Sequence, residues 1–311
     1  MVVFMHMFVQ SYATTQPILQ EPLNPALESS DPLTGFDSFT NVVIFIRFAD
    51  EQNYNAPYDG LYYEDLFNAT GDGVVSVRDY YLEASYGQQN IISELILDEN
   101  NAIIFYTDIY ERSYYEPYSA LNPNGYDESD YDDQAIREHR LLGRAINFVD
   151  ENNFIDDTIN LDVNNDGDLD ALTFLVSGED NGWSSLLWPH QWYMYTDYYE
   201  PDAPSIDGAK AYTYTFNLLG NSRNYDYKTS AGILAHETFH LLGAPDLYHY
   251  YSYGYLDNAG AWSLMDNNVP VPPHMLGYMK EQYGGWITDV TTITTSGTYT
   301  LDPIMDSANN L

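Results

Sequence analysis

"AGILAHETFHLLGAPDLYHY", residues 231–250, sets two histidines four apart around a glutamate, followed by a glycine and an aspartate. Residues four apart on an α-helix lie about 40° apart and one turn along. His236 and His240 can therefore aim both imidazoles at one point, while Glu237, rotated about 100° from His236, falls beside that point. The offset suits a general base acting on a metal-bound water rather than a third ligand. The remaining positions, Ala231, Leu234, Ala235, Leu241 and Leu242, are apolar, so a buried helix is expected, with Thr229 or Ser230 as its cap. Two histidines and a glutamate in such a helix cost on the order of several kcal/mol unless something compensates them, and a zinc ion would.

A catalytic zinc takes three protein ligands and leaves the fourth position to water. Three residues compete for the third place. Asp246 stands six residues beyond His240, across Gly243, which can take the left-handed conformation that ends a helix and turns the chain back. His249 follows three residues later. Glu281, the only glutamate after Glu237, would serve in a thermolysin-type arrangement.

The rest of the chain agrees with an enzyme-like domain. Its 311 residues allow a substantial core, and a composition 44% hydrophobic and 16% aromatic indicates a folded globule. With 47 acidic against 10 basic residues, a formal charge of −37, the surface repels nucleic acid and anionic lipid. The absence of cysteine excludes disulfides, thiol catalysis and thiolate metal sites. No apolar run approaches the roughly 20 residues that span a bilayer. "NVVIFIRFAD" (41–50) reads as a buried strand, "SVRDYYLEASYG" (76–87) as a helix capped by Ser76, and "NIISELIL" (90–97) as a strand. A helix is expected over about 132–151, a strand at 171–178 and a last helix at 274–287. This alternation indicates an α/β or α+β domain over about 39–289. Residues 1–38 read as a leader or prosegment remnant, whose apolar opening lacks the basic residue of a standard signal peptide, and 290–311 as the start of a truncated C-terminal β region.

With HETFHLLGAPDLY in view, the chain resembles the metzincin zinc peptidases, and most of all the immune inhibitor A-like family with its HExxHxxGxPD motif. "AWSLMDNN" (261–268) is similar to that family's Met-turn, and "PPHMLGYMKEQYGGWI" to the helix that follows. The "VVIFIRFAD" strand, "SVRDYYLEASYG", "LDVNNDGDLDALTFLVSG" and "LWPHQW" resemble its upstream segments, so the likeness covers roughly residues 40–290. The resemblance implies an α+β fold: an upper twisted mixed β-sheet with a backing helix and an active-site helix, above a lower irregular subdomain with the Met-turn and a C-terminal helix. It implies zinc held by His236, His240 and Asp246, Glu237 as catalytic base, and Met265 as a hydrophobic floor. It also implies a secreted, extracellular protein; the expected partners are protein or peptide substrates, with no nucleic acid and no membrane span, and the expected state is a monomer.

 Members of that family are usually secreted and made with a prosegment, and with no cysteine present an aspartate such as Asp31 or Asp37 is the candidate to cover the zinc. The rival reading is a catalytically inactive metal-binding or adhesion module of the same fold.

A second cation is expected in "DVNNDGDLD". Asp162, Asn164, Asp166, Asp168 and Asp170 stand at alternate positions, with Gly167 sixth, as in the opening of a calcium loop. The twelfth position is Thr173 rather than glutamate and a strand follows, so the loop is not an EF-hand, and a solvated acidic turn is the alternative. His190 and His274, with no partner spacing, read as hydrogen-bonded packing residues. The segment from Gly178 to Trp192 is expected to supply an edge strand that holds substrate extended. Tyr248, Tyr250, Tyr253 and Tyr278 are the candidates to stabilise an oxyanion.

Overall fold

The computed structural model describes residues 37–179, 186–194, 203–220, 229–248, 259–290, 292–299 and 303–304. Its centre is a mixed sheet in the order β2-β1-β4-β8-β5, with β3 also paired to β1. The strands are β1 (Ser38–Arg47), β2 (Asn90–Leu95), β3 (Phe105–Thr107), β4 (Ala171–Val176), β5 (His190–Tyr193) and β8 (Thr213–Leu218), while β6 (Ser205–Ile206) and β7 (Ala209–Lys210) form a separate hairpin. β1, β2, β3, β4 and β8 run parallel, and β5 closes one edge antiparallel to β8. The chain is thus α+β with a mixed sheet, as expected.

β1 reads as an unbroken apolar run because both of its faces are covered. Val42, Ile44 and Ile46 join Leu141, Leu142, Ala145, Ile146 and Val149 of helix α3 (Tyr131–Glu151) on one side. Phe39, Val43 and Phe45 face α1 (Gly60–Asn68), α2 (Val77–Ala84) and α4 (Ala231–Leu241) on the other. The apolar stripe of α3 and the capped start of α2, where Ser76 accepts from the Asp79 amide at 3.0 Å, match the sequence.

Three expectations need correction. The strand at 41–50 begins earlier, at Ser38, and stops at Arg47, because residues 49–50 already turn. The last helix, α5, spans only Gly277–Gln282. Prolines 272 and 273 lie ahead of it, and the Tyr283 and Gly284 amides both fold back on the Met279 carbonyl before Gly285 turns at φ +66°. Residues 292–299 carry strand-forming side chains but are irregular and exposed, since β propensity expresses packing against a neighbouring strand. No helix among the described residues is long and apolar enough to cross a membrane.

Candidate metal centre

Helix α4 is fixed at its start, on its flank and at its end. The Ser230 hydroxyl accepts from the Ile233 amide at 3.5 Å, so Ser230 is the cap. Thr229 instead donates its hydroxyl to the Leu218 carbonyl at the end of β8, tying the helix to the sheet. On the flank, the Tyr81 hydroxyl of α2 donates to the Ala235 carbonyl at 2.7 Å. Gly232 lets residues 268–269 approach, since a Cβ there would meet the Val269 carbonyl oxygen at 1.8 Å.

The end of α4 makes the site. Gly243 takes φ +87°; its amide bonds to the His240 carbonyl at 2.9 Å and the Ala244 amide to the Phe239 carbonyl at 3.2 Å. This pair is a Schellman termination, which reverses the chain. Asp246 is thereby returned to the helix: its Oδ1 lies 2.9 Å from His236 Nε2 and 3.3 Å from His240 Nε2. The two Nε2 atoms are 3.2 Å apart, and all three potential ligand atoms lie within 4.8 Å of one another.

The tautomers follow from the outer contacts. His236 Nδ1 faces the Leu264 carbonyl at 3.0 Å and His240 Nδ1 the Ala244 carbonyl at 2.6 Å. A carbonyl only accepts, so each Nδ1 carries a proton, which leaves Nε2 of each ring as the atom that could offer a lone pair to a metal. Two imidazole nitrogens and a carboxylate oxygen thus converge at a largely buried point, an arrangement that a metal ion could satisfy. Such backbone contacts orient metal-binding imidazoles. Burial would push the His240 pKa down, but the adjoining Asp246 carboxylate, with Glu237, holds it above its ordinary value. The ligand set could hold a metal ion.

Met265 is fully buried, and its carbonyl accepts the Leu247 amide at 2.8 Å. The turn at 263–266 therefore touches the site twice, through Leu264 and through Met265. Glu237 is buried on the same helix, directly after His236. Among the described residues no other group of histidine and acidic side chains converges in this way, and Glu281 on α5 is not part of it. His249, Tyr250, Tyr253 and Asp31 lie outside the described residues. Asp37 is exposed at the start of the sheet and does not join the cluster. Of the tyrosines, Tyr248 stacks on the His236 ring at 6.3 Å and 18°, whereas Tyr278 is exposed against Tyr283.

The acidic loop uses its carboxylates on its own backbone. Asp162 accepts from the Asp166 and Gly167 amides at 3.0 Å each, Asp166 from the Asp168 amide at 2.9 Å, and Asp170 from the Val163 amide at 3.1 Å. Asn164 donates to Asp166 at 2.8 Å. Burial raises the Asp170 pKa to about 7. The turn has the glycine at positive φ that its spacing implied, Gly167 at +92°, but its acids do not gather as the His–His–Asp group does.

His274 is a packing residue near Glu83, 3.6 Å away, and its pKa is lowered by burial. His190 belongs to a buried cluster that the sequence reading missed, with Glu138 of α3 and Tyr214 of β8. A signal was present: Glu138 interrupts the apolar stripe of Leu141, Leu142, Ala145 and Val149, three to four residues ahead of its first members.

Neither a family model nor a curated protein matches the chain.

Proposed function

We propose that the protein is a secreted zinc-dependent endopeptidase of metzincin-like architecture that hydrolyses peptide bonds in proteins. One observation carries this reading: His236, His240 and Asp246 converge within 4.8 Å, with Glu237 beside them on the same helix. The buried turn at Met265 and the antiparallel edge strand β5 support it.

Zinc held by the two Nε2 atoms and the Asp246 carboxylate would supply a Lewis acid that polarises the scissile carbonyl and acidifies water. Glu237 accepts the proton of the attacking water as its oxygen bonds to the carbonyl carbon. The same carboxyl then gives that proton to the amide nitrogen as the C–N bond breaks, so the base is regenerated. Asp246 brings a negative charge to the site and would damp the acidity of a bound metal relative to a third imidazole. The Leu264 and Ala244 carbonyls hold the imidazoles in place through the cycle.

Metal content by mass spectrometry, with casein digestion measured before and after chelation, tests the reading. Stoichiometric zinc, chelator-sensitive digestion, and a Glu237→Ala variant that keeps metal and fold but loses digestion by about 10²–10⁴-fold are expected. A Glu237→Ala protein that digests casein at the wild-type rate overturns the mechanism, and a metal-loaded wild type that cleaves nothing favours the inactive metal-binding module.

A further inference from the structure

We propose that His190 is a positioning residue for the substrate edge of the sheet: with Glu138 and Tyr214 it clamps β5 to α3 and so fixes that strand beside the metal-site helix α4. The clamp itself is read from the geometry, and its role for substrate rests on the peptidase reading above.

Both ring nitrogens of His190 face atoms that only accept. Nε2 lies 3.0 Å from Glu138 Oε1, and Nδ1 lies 2.7 Å from the Trp188 carbonyl. A neutral imidazole has one N–H, so both bonds together require the doubly protonated ring, with Glu138 as its counter-charge. The Tyr214 hydroxyl donates to the same Glu138 oxygen at 2.5 Å. All three side chains are buried, and the His190 ring is stacked on Phe216 at 5.2 Å and 11°. The trio thus joins three elements: α3 through Glu138, β8 through Tyr214 and β5 through His190.

β5 has need of such a tie. It is only four residues long and takes its sheet partner on one side, from β8. Short strands at a sheet edge are weakly held by their ladder alone. His190 is the first residue of that strand, paired with Phe216, and it anchors the end from which Gln191, Trp192 and Tyr193 extend. α4 packs against β5, and the Glu237 carboxylate is among the charges acting on His190. A slack β5 would therefore shift the surface that faces an extended peptide relative to the catalytic base.

The test compares His190→Leu, which cannot reach Glu138, with His190→Gln, whose amide can still donate to it. Each is made in the zinc-loaded full chain carrying Glu237→Ala, so that peptide binding is read without turnover. Two quantities are measured: hydrogen exchange at 190–193 against 171–176 and 231–241, and affinity for an extended peptide of about eight residues against one of about three. His190→Leu is expected to raise exchange at 190–193 by about tenfold with β4 and α4 unchanged. It should weaken the longer peptide by about tenfold and leave the shorter one unaffected, and His190→Gln should recover most of both losses. Unchanged exchange at 190–193, or a rise shared equally by β4 and α4, overturns the clamp. Equal weakening of both peptides overturns its role in positioning. Should the longer peptide bind no variant and not the parent, the peptidase reading fails, while the exchange data still decide the clamp.

Discussion

The Leu264 carbonyl oxygen lies 3.0 Å from Nδ1 of His236, so the turn that carries Met265 also fixes the orientation of an imidazole of the candidate metal centre. Met265→Ala would leave a cavity under this turn at a cost of about 2–5 kcal/mol. Loss of orientation at His236 should also weaken zinc by about 10–100-fold. Thermal unfolding and zinc competition against a chromogenic chelator measure the two effects separately. A variant with lowered stability and wild-type zinc affinity would show that the turn does not orient the ligand.

Asp246→Ala removes the residue that closes the cluster, whereas Glu281→Ala removes one outside it. After dialysis at neutral pH, the first variant should retain far less than one zinc per chain and the second should match wild type. The opposite outcome would move the third ligand to α5.

Gly232→Ala places a methyl group 1.8 Å from the Val269 carbonyl oxygen, a contact with backbone that no side-chain rotation relieves. The segment after the turn at 263–266 must then move off α4. Overpacking of this kind costs about 1–3 kcal/mol, read as a fall in the urea midpoint. Gly143→Ala is the control, because its Cβ would meet only a Pro204 side-chain atom at 3.7 Å in ordinary contact.

Lys280 is fully buried on α5, over the Tyr86 ring at 4.3 Å, and burial lowers its pKa to about 8 from 10.5. A depressed lysine binds fewer protons folded than unfolded between those values, so its contribution makes stability rise as pH increases from about 8 to 10.5. The penalty below that window is at most about 3 kcal/mol. Lys280→Met should therefore stabilise the protein near pH 7 and lose that advantage at pH 10.5. Denaturant midpoints at the two pH values check it, and an equal gain at both would assign the effect to packing instead.

Much of the candidate metal centre was legible because it is written locally. The four-residue spacing of His236 and His240 states a shared helix face, and Gly243 before Asp246 states a chain reversal. The outer contacts were not legible, since they are made by carbonyl oxygens of Leu264 and Ala244, which every residue possesses. β1, β2, β4, α2 and α3 could be read from apolar runs and caps. Helix α1, with only a weak pattern, and β8, whose sequence alternates polar and apolar residues, passed unread. The Glu138–His190–Tyr214 trio escaped because its members are 52 and 76 residues apart from Glu138, a distance across which single-sequence patterns carry no pairing.

Asn41 of β1 is paired with Ala171 of β4, and β4 in turn with β8, which precedes the helix of the candidate metal centre in the chain. Parallel neighbours so remote along the chain close large loops before they gain contacts, and this slows assembly. The helix is tethered to that late frame by Thr229 and Tyr81. A nascent polypeptide therefore carries these histidines and carboxylates as scattered groups, and the cluster that could hold a metal ion forms only once the scaffold around it is complete.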